Sequence, residues 1–352
     1  MNPLDPVRHA AAAFRLQGTE ITRIEGGFSG ARIWKVLDRG GRAYALRLLP
    51  TVDRRQAVRL PQLCHWMETL HESGMTVVPR PLRSSAQGQS AATGGAKWLH
   101  HSSAGVWMAE TWMPGTAVAA LPSTATVRQL AGILRSIHES GRRLAWTAGA
   151  ADAVCSVREG PSPAVCRRVR IIEELLQGRI RLLQEEVSGE PDAELRELLT
   201  SLLRRLPAAL TQLSGRLRQE ADQTFQLQPV LRDLWYPHVL FAEDHVSGIV
   251  DWQAFDMDHP VLDVARLLRS WCRTDALAFD RGLRIFAEEW GLGVRELRLL
   301  RILDQSAVLL SPLTWLQGRY RNVRQRNSDE PASRRLLELV QVALWSCAEP
   351  WV

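Results

Sequence analysis

Apolar positions recur every second residue in short runs over the first third of the chain, and at the three-to-four spacing of a helix over most of the rest. Residues 20–24, 31–37 and 43–49 read as three strands, the last two joined by a turn at Asp38-Arg39-Gly40-Gly41. In the third strand Tyr44, Leu46 and Leu48 face one way and Ala45, Arg47 and Leu49 the other. Asp5-Pro6 opens a short helix through residue 14. Residues 53–73 form an amphipathic helix that Pro61 is expected to kink or interrupt. Residues 87–95, rich in Gly, Ser and Ala, read as a surface loop, and 106–112 as a further strand. From residue 124 the helical period dominates: 124–140, capped by Ser123, then 162–177, 180–187 and 192–220. After an apolar run at 225–230 and a hairpin, helices resume at 261–273, 276–290, 294–319 and 332–346. No internal repeat is evident.

The chain is organised around the stretch 231–251. A polar loop carries Asp233 and ends at His238. A short strand at 239–241, a turn at Glu243-Asp244 and a second strand at 246–250 lead to Asp251. Two acidic groups thus stand at opposite ends of one small hairpin. A carboxylate at the end of an otherwise buried strand needs a partner, and a metal ion is one candidate. Near the N-terminus, Glu25-Gly26-Gly27-Phe28-Ser29-Gly30 is a glycine-rich turn between two strands, and its amides can cradle phosphate oxygens.

Composition narrows the function classes. A chain of 352 residues is long enough for two lobes. Residues 1–17 lack the pattern of a signal peptide, and the longest apolar stretches are too short for a bilayer, so a cytoplasmic protein with no membrane partner is expected. The five cysteines are dispersed, which suits free thiols and argues against a zinc site. The net charge is +6, with Lys35 and Lys97 the only lysines. The arginines interleave with Glu along helical faces, a pattern of solvated surface that argues against a nucleic-acid partner. Arg167-Arg168-Val169-Arg170 and residues 319–326 are the best candidates to meet an anion.

The hairpin resembles that of the aminoglycoside phosphotransferase and choline kinase family, whose loop reads His-Gly-Asp-Leu-His-Pro-x-Asn, followed by strand, turn, strand and Asp-Trp or Asp-Phe. Asp233 falls on the catalytic Asp and Asp251, followed by Trp252, on the metal Asp. His238 falls on the Asn, and Leu231 and Trp235 on the two histidines. The match continues through Asp258-His259-Pro260-Val261-Leu262-Asp263-Val264-Ala265, where the family reads Gly-Asp-Pro-x-x-Asp-Leu-Ala. It covers about residues 19–343. The resemblance implies an α+β, two-lobed protein-kinase-like fold: a small antiparallel β N-lobe, residues 1–115, and a larger mainly helical C-lobe, 116–352.

The resemblance also implies roles. Gly26, Gly27, Phe28, Ser29 and Gly30 would hold phosphates, with Arg47 in place of the usual lysine; Ala45 would lie over the adenine, and Glu110 to Trp112 would form the hinge edge. The alternative for Arg47 is a solvated sheet face. The family places a Glu on the 53–73 helix to hold the strand cation; here the middle of that helix offers Gln62, Cys64 and His65, with Glu68 and Glu72 near its end. Asp233 would be catalytic, and His238 and Asp251 would bind the metal. An imidazole ligand leaves Mg2+ and Mn2+ both open. Trp235 and Tyr236 either stack on an acceptor or close the loop against the core. The implied activity is transfer of a phosphoryl group from ATP or GTP to the hydroxyl of a small molecule. The altered loop keeps a second possibility in view: a pseudokinase, which binds nucleotide or serves as a scaffold without turnover.

Overall fold

A computed structural model of the chain describes residues 5–24, 31–85, 96–144, 158–321 and 330–348. The glycine-rich turn at Gly26–Gly30 and the loop at 87–95 lie outside the described residues. In chain order the elements are α1 (Asp5–Ala13), β1 (Gly18–Ile24), β2 (Arg32–Asp38), β3 (Ala43–Leu49), α2 (Arg54–Glu72), β4 (His100–Ser102), β5 (Gly105–Thr111) and β6 (Thr116–Ala117). There follow α3 (Thr124–Arg143), β7 (Arg158–Gly160), α4 (Pro163–Glu174), α5 (Ile180–Ser188), α6 (Ala193–Ala221), β8 (Phe225–Val230), β9 (Val239–Ala242), β10 (His245–Ile249) and β11 (Asp256–Asp258). The chain ends with α7 (Val261–Cys272), α8 (Ala276–Trp290), α9 (Val294–Arg321) and α10 (Glu330–Ala348). The chain divides into two compact units. One comprises Met1–Val118, Ile133–Ser156 and Tyr236–Phe255; the other comprises Ala119–Gly132, Val157–Trp235 and Asp256–Val352.

The first unit is built on an antiparallel five-stranded sheet in the order β1-β2-β3-β5-β4. Strand alternation gives it two different faces. Trp34, Val36, Leu46, Leu48, Trp107 and Ala109 pack on Val7, Ala10 and Ala11 of α1 and on Phe14 just after it. On the opposite face Ala45 stands between Lys35 and Glu110, and Arg47 between Ile33 and Met108. Leu60 and Cys64 of α2 pack on Val106 and Met108 from that side.

Helix α2 runs on through Pro61 without the expected interruption. A reciprocal capping box between Asp53 and Gln56 secures its start. The bond that Pro61 cannot make falls on the carbonyl of Ala57, an exposed residue whose oxygen water can satisfy. Trp66, fully buried, meets the edge of Trp252 at 5.2 Å and lies 6.2 Å from Phe255.

The β9–β10 hairpin pairs with two-residue β6 in a second, three-stranded sheet of this unit. Two glycines permit that approach. Gly115 has φ 100°, and a Cβ there would lie 2.2 Å from Ser247 Oγ and 2.5 Å from the Phe241 carbonyl oxygen. At Gly248 a Cβ would lie 2.7 Å from that of Met113.

The second unit is mainly helical. Leu195, Leu199, Leu202, Leu206, Leu210, Leu213 and Leu217 bury one stripe of α6, which packs on α4, α5, α9 and α10. Helix α9 is buried along most of 299–316 and also meets α7 and α10. Its buried Asp304 takes both ends of the Arg269 guanidinium, at 2.9 and 2.6 Å. A sheet in the order β11-β8-β7 completes the unit. Ser162 caps α4, and Asp258 accepts from both the Ser162 hydroxyl, at 2.6 Å, and the Ala164 amide, at 2.8 Å. Among the described residues no helix is long and apolar enough to cross a membrane, and Cys64, Cys166, Cys272 and Cys347 are free thiols.

Candidate active site

In the first unit, four of the residues singled out from the sequence converge. Arg47 leaves the face of β3 opposite α1 and is only 7% exposed, which excludes the solvated-face alternative. Its guanidinium donates to Asp251 Oδ1 at 2.9 Å and lies 3.8 Å from Glu110 Oε1. His238 Nε2 is 3.4 Å from the other oxygen of Asp251. In the amide orientation that satisfies both neighbours, Gln253 donates to Asp251 Oδ1 and accepts from Arg47 Nε at 3.2 Å. Helix α2 contributes no carboxylate to Arg47: Glu68 turns to Arg83 at 2.8 Å and Lys97 at 3.6 Å.

Local chain geometry fixes these positions. Asp251 follows β10 in the left-handed region, φ 65° and ψ 60°, a conformation tolerated by Asp better than by most residues. Buried Trp252 anchors it, donating from its indole to the Ile249 carbonyl at 2.7 Å. His238 ends a short 3-10 turn, and its carbonyl accepts from the Val250 amide at 2.9 Å. Burial raises the Glu110 carboxyl above its usual range, the positive charge of Arg47 opposes that, and Asp251 adds to it. Cys64, near both Glu110 and Glu68, has its thiol pushed far up by burial first and by those carboxylates second.

Ala45 is buried directly opposite Glu110 in the β3–β5 register. The Trp112 amide donates to the Ala43 carbonyl at 3.0 Å, and the Lys35 ammonium lies 5.0 Å over the Trp112 ring. Gly26, Gly27, Phe28, Ser29 and Gly30 lie outside the described residues.

Asp233 belongs to the second unit. The Asp233 amide donates to the Leu231 carbonyl at 2.8 Å, closing a three-residue turn around Arg232, whose φ is 63°. Such a turn with positive central φ is strained. Asp263 holds it in place by accepting from the amides of Leu231, at 2.8 Å, and Arg232, at 2.7 Å. The Arg232 guanidinium is tied to Asp256 at 2.8 Å. Asp233 itself forms an ion pair with Arg266 of α7.

The donor set in the first unit fits a divalent cation. Two ligand atoms, each about 2.1 Å from one ion, stand roughly 3–4 Å apart, and the 3.4 Å between His238 Nε2 and Asp251 Oδ2 lies in that range.

A family model described as the phosphotransferase enzyme family matches residues 20–300. The chain belongs to that family. No curated protein matches it. Among solved structures, spectinomycin phosphotransferase in complex with ADP and spectinomycin has a TM-score of 0.66 at 12% identity, covering 97% of this chain and 98% of its own. Amicoumacin kinase, in complex with AMP-PNP, Ca2+ and Ami, has a TM-score of 0.64 at 13% identity, covering 98% of this chain and 93% of its own. An aminoglycoside phosphotransferase from Alicyclobacillus acidocaldarius has 0.61 at 15%, covering 99% and 96%. At these identities the structures establish the shared α+β, kinase-like fold.

Several residues of the site make contacts that the sequence pattern does not announce. Glu110 falls on the hinge edge in the family resemblance, and the β3–β5 pairing also directs its carboxylate to Arg47. Asp263 lies in the 258–265 match, on the second Asp of the family's Gly-Asp-Pro-x-x-Asp-Leu-Ala, and that position is a usable signal. For Gln253 and Arg266 the sequence carries no such signal: their partners are set by tertiary packing.

Proposed function

We propose that the protein transfers the terminal phosphoryl group of ATP or GTP to the hydroxyl of a small molecule. Asp233 orients the acceptor hydroxyl and takes its proton. Arg47 and the amides of Gly26, Gly27 and Gly30, with Phe28 and Ser29 in the same turn, hold the phosphates. Ala45 and the Glu110–Trp112 edge receive the base, within a nucleotide lobe of residues 1–115, and residues 116–352 supply the acceptor side. His238 and Asp251 would hold the divalent cation, Mg2+ or Mn2+, which neutralises phosphate charge when bound.

The observation that carries this reading is the convergence of Arg47, Asp251 and His238. A buried guanidinium shared by two carboxylates is expensive to desolvate and adds little net stability. Such a cluster makes sense as a charge-handling site. Family membership supplies the reaction class. The relatives bound to ADP or AMP-PNP make a nucleotide donor the natural expectation. The test is ADP release and product phosphorylation with ATP or GTP, each with Mg2+ and Mn2+, over a panel of hydroxyl compounds. Absence of nucleotide binding under all four conditions would remove the reading.

One observation favours a second reading, a pseudokinase that binds nucleotide or acts as a scaffold. The Asp251 carboxylate already engages Arg47, His238 and Gln253. Nucleotide binding that is indifferent to divalent cations, with no turnover, would select it.

A further inference from the structure

The second unit contains a cavity of about 230 Å3. That is small beside the roughly 300–1,000 Å3 of drug-sized pockets, and suits a metabolite. Its wall includes Arg266, the partner of Asp233. Among the described residues four arginines line it, Arg266, Arg269, Arg273 and Arg335, against one carboxylate, Glu338. Glu338 is shared, 3.0 Å from Arg335 and 3.6 Å from Arg273. Arg269 is matched by Asp304 behind the wall. Two indoles, Trp235 and Trp315, supply flat apolar surface, and the Arg335 guanidinium lies 4.7 Å over the Trp235 ring. Beyond Arg266 the positive field continues. Arg168 is pushed down to about 10 by burial, opposed by Asp258 and reinforced by Arg266, Arg167 and Arg232.

A polycationic ligand would set its ammonium groups against these guanidiniums, and like charges across an interface repel. A carboxylate or phosphate would accept paired N–H bonds from the arginine forks. We propose that the acceptor is a small anionic alcohol, whose carboxylate or phosphate is taken by Arg273 and Arg335 and whose apolar or aromatic body lies on Trp235 and Trp315. This deepens the phosphotransferase reading and rests on it for the word acceptor. The ligand class itself rests on the cavity.

Three probes of similar skeleton and different charge test it: 4-hydroxyphenylacetate (anionic), tyrosol (neutral) and tyramine (cationic), with kanamycin as a polycation. Binding is measured by calorimetry on the full chain, without nucleotide. The expected result is that 4-hydroxyphenylacetate binds roughly tenfold or more tighter than tyramine, about the worth of one good charged contact. Arg273→Gln and Arg335→Gln should each erase most of that preference while leaving tyrosol affinity unchanged. Arg335→Lys, which keeps the charge and the packing stem over Trp235, should retain part of it. A charge-blind order, tighter binding of tyramine or kanamycin, no binding of any probe at millimolar concentration, or full anion preference in both Gln variants would each overturn the proposal. Anion binding without phosphoryl transfer to any hydroxyl compound would uphold the ligand class and count against the phosphotransferase reading. Transfer to kanamycin would do the reverse.

Discussion

Arg47 and Asp251 are 204 residues apart in the chain, and their side chains meet at 2.9 Å. The contact closes the β9–β10 hairpin onto the five-stranded sheet, both within one compact unit. Because Arg47 also serves buried Glu110, removing it leaves a carboxylate in the core without its cation.

Arg47→Met should therefore destabilise the fold by about 3–5 kcal/mol, the usual penalty for orphaning one half of a buried ion pair. Adding Glu110→Gln should restore much of that loss, since the uncompensated charge is gone. Nucleotide affinity should stay low in both proteins, because no guanidinium remains for the phosphates. Urea unfolding and ATP titration of the two variants separate the effects. Native-like ATP affinity in Arg47→Met would remove Arg47 from phosphate binding.

Asp233→Asn keeps the shape of the side chain and part of its hydrogen bonding, but removes the base and its charge. Nucleotide affinity should change little, while phosphoryl transfer should fall by roughly 10²-fold or more, the scale of a general base. Single-turnover measurements with saturating nucleotide give the comparison. An unchanged transfer rate would take Asp233 out of the mechanism.

What could be read from the sequence followed the range of the signal. β3, β8 and α8 fall at the expected residues, 43–49, 225–230 and 276–290, because alternation or helical period runs through each without a break. Two-residue β6 and three-residue β11 are too short to carry a period. Strands adjacent in sequence also part company: β8 pairs with β7 and β11, whereas β9 pairs with β10 and β6. That choice is made by close packing at Gly115 and Gly248, which local pattern does not encode. At the site, Asp233, His238 and Asp251 stood out because their spacing is local to one hairpin. The Glu110–Arg47 contact depends on which strands become neighbours, and the Asp263 grip on the Leu231 and Arg232 amides depends on where α7 docks.

That grip yields a pH prediction. Burial raises the Asp263 carboxyl to about 7, against the two amide bonds that pull it down. In the unfolded chain the group titrates near ~4. Between about pH 4 and pH 7 the folded protein thus keeps a proton that the unfolded chain has released, so stability from this site falls as pH rises through that window and is flat above it. The span of about three pH units corresponds to at most about 4 kcal/mol. Asp263→Asn cannot titrate. Its stability relative to the native chain should improve from pH 5 to pH 7.5, as measured by urea unfolding at both. A constant difference between the two proteins would show that Asp263 does not hold its proton in the fold.

His238 stands where the family loop has Asn, which makes it the most informative residue to exchange. Its ring reaches to 3.4 Å from Asp251, and its carbonyl is fixed by the Val250 amide, so a substitution here changes the donor and leaves the turn in place. Imidazole suits transition-series ions, whereas an amide oxygen suits Mg2+. If His238 is a ligand, native nucleotide binding and turnover should favour Mn2+ several-fold over Mg2+, and His238→Asn should reverse that order. Both proteins are to be titrated with ATP in Mn2+, in Mg2+ and in chelator. An Mn2+ to Mg2+ ratio identical in the two would deny His238 a ligand role while leaving Asp251 in place. Binding unaffected by chelator in both would mean that the Arg47–Asp251 pair neutralises the site by itself, and would transfer the weight of the argument to a nucleotide-binding protein without turnover.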